Sequence, residues 1–360
     1  MRVAFIADIF AVGFGSARPA LLLSLEFQKE RNCDVLWVSL YTDEHFREIA
    51  EEHGIEVLNL DVNLRVMPQM PVFEAWLRSL FRQGIGQKMV HPIKNYKVIN
   101  SSSCIVTRAD AYYAQGPMTK AFSDMHFQMR KHYEYTYLLS APILRFLEKK
   151  MIGKLRRLSK LFIANSNFCK SMYENWNVKV DSVIPPPLDC KFFKPKPNPS
   201  SDYVLTYFAK ETHFPVINHI AKHGIKIKAF GSKVPYMKYF KDDANVEFLG
   251  GVSDEELVDL YSNALFTLFT FTHEPFGYVP VESMACGTPV LTYDMQGPRE
   301  TVIHNVTGWL ARSDEEMVKL ATKIWEQGYP SQVRKQCRER AMEFDTKKIA
   351  NKWLKLLTNI

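Results

Sequence analysis

Apolar and polar residues along this chain repeat with two different periods. Short runs rich in Val, Ile and Phe predict buried strands, and the longer stretches between them repeat apolar residues at helical spacing. Alternation of this kind is typical of βα units around a parallel sheet. The predicted strands are RVAFIA, VLWVSL, EVLNL, CIVTR, AYYAQ and LFIANS in the first half, and YVLTYF, IKIKAFG, VEFLGG, LFTLFTF, VLTYD and GWLA in the second half.

A proline-dense stretch separates the two halves. Residues 183–202, VIPPPLDCKFFKPKPNPSSD, contain too many prolines for regular structure and suit a hinge. We therefore predict a domain boundary near residues 188–200. The final helical segment, roughly residues 331–357, can pack on either domain.

Length and charge refine this picture. A chain of 360 residues, 46% of them hydrophobic, is long enough for two domains of ordinary size. Residues 62–170 hold 18 Lys and Arg against 5 Asp and Glu, which leaves 28 against 34 for the rest of the chain. One region therefore supplies all of the formal net charge of +7.

Two segments of this basic region have helical amphipathicity. Residues 71–84 contain arginines beside an apolar stripe, and in residues 143–160 seven basic residues oppose a single acid, Glu148. Each segment either covers its own domain and turns a charged face to water, or forms a patch for a membrane surface or an anionic acceptor. The stripes consist of Phe73, Trp76, Leu77 and Leu80 in the first segment and Leu144, Leu147, Met151, Leu155 and Leu158 in the second.

Cysteine usage and hydropathy bear on the compartment. The six cysteines include no CxxC pair and no Cys/His cluster at zinc spacing, which suits a reducing compartment. Asp8 interrupts the apolar N-terminal run, which we interpret as a first buried strand. No segment reaches the roughly 18 to 20 apolar residues of a spanning helix, so we expect any membrane contact to be peripheral.

Residues 273–290, HEPFGYVPVESMACGTPV, carry the clearest chemical signal. They follow a buried strand, and Gly277 opens a predicted helix that runs to about Cys286 before the next strand. A helix N-terminus at the carboxyl end of a strand offers unpaired N–H groups and a positive dipole end, and glycine lets a ligand approach the backbone. We therefore expect an anion at this turn, most naturally a phosphate.

Two glutamates flank the turn. Glu274 is placed to accept hydrogen bonds from hydroxyls beside the phosphate, and Glu282 can accept two from a vicinal diol such as ribose. A ligand with a sugar, a diphosphate and a ribose in sequence is a sugar nucleotide. The alternative is that both glutamates are ordinary surface acids at a helix start, where acids are favoured anyway.

The string EPFGYVPVE followed by SMACGTPV resembles the signature of glycosyltransferase family 4, the retaining transferases of the GT-B fold. The resemblance is strong over about residues 160–312 and weaker over residues 1–159. It implies an α/β fold of the GT-B type, with two Rossmann-like domains facing across a cleft. The implied domains are an N-terminal acceptor-binding domain (1–190), a C-terminal nucleotide-sugar-binding domain (191–335) and a C-terminal helix (336–360) that can pack back on the N-terminal domain.

The resemblance also implies roles for single residues. In that family the second glutamate holds the nucleotide ribose, and the first contacts the transferred sugar. Backbone groups after the first glutamate hold sugar and phosphate. Carried over, these roles fall on Glu282, on Glu274, and on Phe276, Gly277 and Tyr278.

The basic residues that grip the diphosphate in the family are only partly present. Lys210 follows the first strand of the second half at a plausible place, but no arginine precedes it. Lys233 is one candidate to replace that arginine, although a surface lysine is the simpler interpretation. We carry over Lys210 alone.

The first half offers two further candidates. The family approaches the donor phosphates and the acceptor with a glycine loop after the first strand, and Gly13, Gly15 and Ser16 occupy that place. Arg18 either neutralises phosphate there or begins the following helix. A histidine near the reaction centre is common in the family, and His126 is one candidate for it.

The resemblance thus implies a metal-independent, retaining hexosyltransferase that uses a UDP- or GDP-sugar as substrate and needs no cofactor. The sequence has no Asp-x-Asp signature, which agrees with metal independence. The expected acceptor is a glycan, with a lipid-linked or otherwise anionic one as the hypothesis that the basic first half favours. The expected location is cytoplasmic, and peripheral contact with an anionic membrane on its cytoplasmic face belongs to the same hypothesis.

Three other functions stay open at this stage. A non-catalytic sugar-nucleotide binder would explain the missing arginine, and donor hydrolysis separates it from an enzyme. A sugar-nucleotide epimerase of the same fold would need an acid/base pair in the cleft. A nucleic-acid-modifying glucosyltransferase fits the basic region, but the usual recognition motifs are missing, which argues against nucleic acid as the partner.

Overall fold

The computed structural model describes residues 1–11, 15–31, 33–60, 71–85, 93–232 and 243–360. Gly13 and Lys233 lie outside these ranges. The chain divides into two compact units, the first made of residues 1–119, 140–187 and 346–360, and the second of residues 120–139 and 188–345.

The first unit is built on a parallel sheet. Its strands, in chain order, are β1 (Arg2–Ile6), β2 (Ile9–Phe10), β3 (Asp34–Ser39), β4 (Tyr41–Thr42), β5 (Glu56–Asn59), β6 (Lys97–Asn100), β7 (Ala109–Ala114), β8 (Ser159–Ala164) and β9 (Ser182–Val183). Seven of them form one sheet in the order β5-β3-β1-β6-β7-β8-β9, and β2 pairs with β4.

The described residues of the second unit form six strands, all of which the apolar runs of the second half predict. They are β10 (Val204–Phe208), β11 (Ile227–Gly231), β12 (Val246–Gly250), β13 (Phe266–Phe269), β14 (Val290–Tyr293) and β15 (Gly308–Ala311). They form one parallel sheet in the order β12-β11-β10-β13-β14-β15. Inner strands of a parallel sheet are buried on both faces, which explains their mostly apolar sequences, whereas the edge strand β12 is partly exposed.

Helices connect the strands of both sheets. They are α1 (Arg18–Arg31), α2 (Glu44–Glu52), α3 (Pro71–Arg82), α4 (Met118–Met125), α5 (Lys131–Leu158), α6 (Asn167–Glu174), α7 (Phe214–Ala221), α8 (Asp254–Asn263), α9 (Tyr278–Ala285), α10 (Gln296–Thr301), α11 (Asp314–Gln327), α12 (Gln332–Ala341) and α13 (Thr346–Thr358). None of the helices within the described ranges is both long enough and apolar enough to cross a bilayer.

One predicted strand, CIVTR, is wrong. The structure instead forms β6 just before it, and only Ile105 makes an isolated bridge, to Ile85. Side chains take the N–H groups that a strand would use: Cys104 N donates to Asp8 Oδ1 at 3.0 Å, and Ile105 N donates to Ser102 Oγ at 2.7 Å. Side-chain acceptors, one of them local and the other distant in sequence, therefore outcompete a sheet ladder in this segment.

The predicted apolar stripe of residues 143–160 lies on α5, where its members Leu144, Met151 and Leu155 are buried. This stripe therefore packs into the core of the protein itself. Glu148 is buried on the same face, where its carboxylate accepts hydrogen bonds from Met118 N at 2.8 Å and Thr119 N at 3.0 Å. Burial raises the pKa of Glu148 above its ordinary value, because the ionised form loses its hydration.

The C-terminal helix α13 belongs to the core of the first unit. Trp353 is fully buried, with its ring 5.1 Å from that of Tyr113 in an edge-on contact. Replacing a buried tryptophan removes both transfer free energy and packing contacts.

We therefore expect Trp353→Ala to lower the free energy of unfolding of the first unit by about 3 to 5 kcal/mol. Chemical denaturation followed by circular dichroism measures this change. Lys352→Ala, at an exposed position of the same helix, serves as the control and should change it little. Equal effects of the two substitutions would contradict the assignment of Trp353 to the core.

Candidate functional site

The loop between β13 and α9 lies at the carboxyl edge of the second sheet. α9 begins at Tyr278, as the sequence predicts, and Gly277 precedes it with φ 98° and ψ 74°. This left-handed conformation favours glycine. The turn therefore requires the glycine that marks it in the sequence.

Glu274 folds back on this turn. Its Oε1 atom accepts hydrogen bonds from Phe276 N at 3.1 Å and from Gly277 N at 2.9 Å. We expected an anion to bind the backbone N–H groups of this turn. Two of these groups, Phe276 N and Gly277 N, donate to the carboxylate of Glu274 instead. The turn binds negative charge, as the helix start predicts.

The environment of Glu274 works against its ionisation. Burial raises the pKa of its carboxyl to about 7, and the charge of Glu211 adds to the increase. The hydrogen bonds from Phe276 N and Gly277 N act in the opposite direction, because they stabilise the carboxylate. Glu274 therefore changes protonation state near neutral pH.

Gln296 and Gly297 fix the backbone on both sides of Glu274. Glu274 N donates to Gln296 Oε1 at 2.6 Å, and Gln296 Nε2 donates to Thr272 O at 2.9 Å. Gly297 N donates to Glu274 O at 3.0 Å. A Cβ atom at position 297 would lie 2.5 Å from Phe276 Cα, so only glycine fits there.

Glu282 is buried, with 3% of its surface exposed. The alternative that it is an ordinary surface acid is therefore wrong. Its Oε2 atom accepts a hydrogen bond from Tyr261 Oη at 2.9 Å. A buried carboxylate oriented by a phenol is a rigid acceptor, which suits recognition of a diol.

Phe276 and Tyr278 contribute to the turn mainly through packing and backbone. Phe276 is buried, and its ring contacts those of Tyr278 at 5.6 Å and Phe344 at 5.5 Å. The Phe276 side chain therefore belongs to the core of the second unit. Because the side chain is in the core, only the backbone of Phe276 is placed to contact a ligand at the site.

Lys210 lies just after β10 and is partly exposed, and its Nζ atom is 3.6 Å from Glu211 Oε1. Nearby, burial raises the pKa of Tyr207, and the charges of Glu211, Glu282 and Glu274 raise it further. Three carboxylates thus act on one phenol. The sequence analysis did not identify Glu211 or Tyr207, although Glu211 adjoins Lys210 in the chain.

Residues from the first half of the sequence hold the loop before Glu274. His273 is buried, and its Nδ1 atom lies 2.8 Å from Asp124 Oδ2. Gln128 Nε2 donates to Thr272 Oγ1 at 2.8 Å. Burial disfavours the charge on Asp124, but hydrogen bonds from His273 and Lys120 hold its pKa below the ordinary value.

His126 also lies in the second unit, between Asp124 and Gln128 in sequence. Its Nδ1 atom is 3.3 Å from Glu134 Oε1, and its ring stacks 6.1 Å from that of Tyr137. Its neighbours Asp124 and Gln128 contact the loop before Glu274. Its catalytic role stays a prediction.

Gly15 and Ser16 belong to the first unit, in the turn before α1. Both are exposed, and Ser16 O accepts a hydrogen bond from Gln115 Nε2 at 3.0 Å. This bond ties the turn to the carboxyl end of β7. Gly13 is not among the described residues.

No group of three or more His, Cys, Asp or Glu side chains that could hold a metal ion occurs in the part of the chain that the structure describes. All six cysteines are buried thiols that form no disulfide.

Comparison with known proteins finds similarity over part of the chain. Residues 239–344, which contain Glu274, Glu282 and Gln296, match the family model described as "Glycosyl transferases group 1". The alpha-1,3/1,6-mannosyltransferase ALG2 of Candida glabrata is 30% identical over 176 residues, which cover 46% of this chain and 35% of that protein. Residues 239–344, less than a third of the chain, are thus similar to group 1 glycosyltransferases.

A second relative of this chain is the GDP-Man:Man(3)GlcNAc(2)-PP-Dol alpha-1,2-mannosyltransferase of Dictyostelium discoideum. It is 28% identical over 141 residues, which cover 37% of this chain and 28% of that protein. The matched stretches thus span about a third or less of the length of these two relatives.

A solved structure confirms the fold. The crystal structure of Anabaena HepE in complex with UDP-glucose superposes with a TM-score of 0.69 at 17% identity, over 100% of both chains. The predicted GT-B fold of two α/β units with parallel sheets is therefore confirmed.

The raised pKa of Glu274 predicts a pH-dependent effect of Glu274→Gln. Between its ordinary value of 4.5 and about 7, the folded protein binds this proton more tightly than the unfolded chain does. Wild-type stability is therefore lost as the pH rises through this window. A glutamine Oε1 keeps both N–H bonds and carries no charge, so we expect Glu274→Gln to raise the free energy of unfolding at pH 8, by at most about 3 kcal/mol.

The gain should shrink toward pH 5, where wild-type Glu274 is already neutral. Denaturation at several pH values measures it, with Glu326→Gln at an exposed position as the control. A gain of the same size at both pH values would show that charge is not the cause.

The close approach at position 297 predicts a steric effect. We expect Gly297→Ala to lower the free energy of unfolding by about 1 to 3 kcal/mol, since backbone atoms of Pro275 and Phe276 must move. Gly251→Ala is the matched control, because a Cβ atom there meets no atom within 4 Å. If thermal unfolding shows no difference between the two variants, the backbone contact is not as tight as described.

Proposed function

We propose that this protein is a retaining, metal-independent glycosyltransferase. It moves a hexose from a nucleoside diphosphate sugar, with UDP or GDP as the nucleotide, to a glycan acceptor. The observation that carries this proposal is the arrangement of Glu274, the Gly277 turn and the buried Glu282 in one strand–loop–helix unit. This unit lies within the segment that matches group 1 glycosyltransferases.

Glu282 is the proposed ribose contact. It is buried and already oriented by Tyr261, so it loses little conformational entropy when it accepts hydrogen bonds from a diol. Names of relatives favour two nucleotides: the Dictyostelium enzyme is named for GDP-Man, and HepE was crystallised with UDP-glucose. Mannose is the first sugar to test, because both curated relatives are named mannosyltransferases.

Glu274 is the proposed contact to the transferred sugar. With a pKa of about 7 it is partly protonated near neutral pH, so it can donate a hydrogen bond to a hydroxyl as well as accept one. Lys210 and the start of α9 are the proposed partners of the diphosphate, where negative charge develops as the sugar departs. In the retaining reaction the acceptor hydroxyl attacks from the face that the diphosphate leaves, and a leaving phosphate oxygen takes its proton.

The name of the Dictyostelium relative supports the proposed acceptor, because it specifies a glycan on PP-Dol, a lipid carrier. We therefore include a lipid-linked glycan as the acceptor, held by the first domain with the Gly15 and Ser16 turn. Such an acceptor lies at a membrane surface. The proposal thus includes a cytoplasmic location with peripheral contact to an anionic membrane face.

A second candidate is a sugar-nucleotide-binding protein that does not catalyse transfer. It is favoured by Glu211, whose carboxylate lies beside Lys210 and adds negative charge near Glu274. With no arginine before Lys210, the diphosphate would meet less positive charge than in related transferases. Such a protein would bind the donor and release no sugar.

The proposal predicts how donor binding responds to substitution. With UDP-glucose, GDP-mannose and ADP-glucose as a panel, we expect one donor to bind and to be hydrolysed slowly. Glu282→Gln should weaken that binding by about 10- to 100-fold, since a hydrogen bond to a charged group is worth about 1.5 to 3 kcal/mol. Calorimetry and release of free sugar are the two readouts.

The controls separate the candidates. Glu326→Gln, at an exposed position outside the site, should leave the affinity unchanged. If no nucleotide sugar binds, the proposal fails. If a donor binds but no sugar is released, even with lipid-linked or soluble glycans present, the non-catalytic binder replaces the enzyme.

A further inference from the structure

One face of α5 exposes large apolar side chains. Among the described residues, 13 large hydrophobic side chains are exposed, and six of them lie on this single helix. Concentrations of this kind mark interaction sites, whereas single exposed apolar residues do not. The six are Tyr133, Tyr135, Leu138, Leu139, Ile143 and Phe146, and the last three are 83%, 60% and 67% exposed.

Four of these residues form a stripe. Tyr135, Leu139, Ile143 and Phe146 follow each other at intervals of four, four and three residues, which keeps them on one side of a helix. The buried stripe of Leu144, Met151 and Leu155 lies on the other side. A surface helix normally turns polar residues to the side opposite its core face, so a second apolar stripe requires its own explanation.

Charge on the exposed face has one sign. Lys131 lies before the stripe, and Lys149 and Lys150 follow it, all exposed. The two acids of α5 face elsewhere: Glu148 is buried, and Glu134 lies 3.3 Å from the ring of His126. The face thus combines an apolar centre with positively charged ends.

We propose that this face of α5, the Tyr135–Phe146 stripe with its lysines, lies in the plane of an anionic lipid bilayer surface. A bilayer interface accepts apolar side chains to a depth of about 5 to 10 Å and neutralises lysines at its headgroups. Lysine stems extend toward the headgroups while their apolar parts stay beside the lipid chains. This proposal rests on the proposed function in one respect only, the lipid-linked acceptor. It adds the surface of the protein that would contact the membrane carrying that acceptor.

The first test is sedimentation with lipid vesicles. Wild-type protein should bind vesicles of phosphatidylcholine with about 30% phosphatidylglycerol, and binding should fall about tenfold or more as salt rises from about 0.05 to 0.5 M. The triple substitution Leu139→Ser, Ile143→Ser and Phe146→Ser should weaken binding at least about tenfold. Ile303→Ser, at an exposed apolar position of the second unit, is the matched control and should bind like wild type.

Charge is tested separately. Lys149→Gln with Lys150→Gln should weaken binding to the anionic vesicles about tenfold or more, because each lysine near such a surface contributes about 1 kcal/mol. Lys319→Gln with Lys323→Gln removes two exposed lysines from α11 and serves as the control. Equal losses in both pairs would show nonspecific attraction by net charge and would overturn the proposal.

Insertion itself is tested with a fluorescent label. All six native cysteines are buried, so Leu139→Cys can be labelled selectively with an environment-sensitive dye. On anionic vesicles its emission should shift to the blue, whereas a label at Ile303→Cys should not respond. A shift that appears without vesicles and grows with protein concentration would identify a second copy as the partner and overturn the proposal.

Donor hydrolysis in solution keeps the two proposals apart. The triple stripe variant should bind and hydrolyse the donor like wild type while losing vesicle binding. Wild-type hydrolysis without any vesicle binding would overturn the membrane surface and leave the enzyme intact. Vesicle binding without donor binding would overturn the proposed enzyme and leave the membrane surface intact.

Discussion

The candidate site depends on one close backbone contact, that of Gly297 with Pro275 and Phe276. It brings Gln296 within reach of both Glu274 N and Thr272 O, so the loop after β13 is held from the start of α10. With the loop fixed, Glu274 can reach back to the N–H groups of the turn. The position of the carboxylate is therefore determined by backbone packing more than by its own side-chain contacts.

This geometry sets the electrostatics of the site. Glu274 accepts two N–H bonds that favour its charge, yet burial and Glu211 outweigh them and raise its pKa to about 7. A diphosphate placed at the same turn would raise that pKa further, because like charges disfavour the ionised form. In the proposed donor complex Glu274 is therefore neutral more often than in the free protein. A neutral carboxyl reduces the repulsion that the missing arginine would otherwise have offset.

The sequence predicts the second unit better than the first. The strands described there are mostly apolar runs, and glycine marks the turn before α9, so local signals suffice. The contact of His273 with Asp124 joins residues 149 positions apart, and no local pattern indicates it. The same holds for Gln128 and Thr272. The strand predicted at CIVTR fails for a related reason, since the acceptor that captures Cys104 N is Asp8, far away in sequence.

Helix α5 shows a different limit of pattern reading. The periodicity of Leu144, Met151 and Leu155 correctly predicts a core face, and basic residues fill much of the remaining sequence. When those basic residues are assigned to a solvated face, the sequence pattern does not reveal that Leu139, Ile143 and Phe146 form an apolar stripe between them. Only the exposure of each side chain separates a helix with one apolar face from a helix with two. Because leaving the second face in water has a hydrophobic cost, its retention beside exposed lysines is best explained by a surface that accepts both.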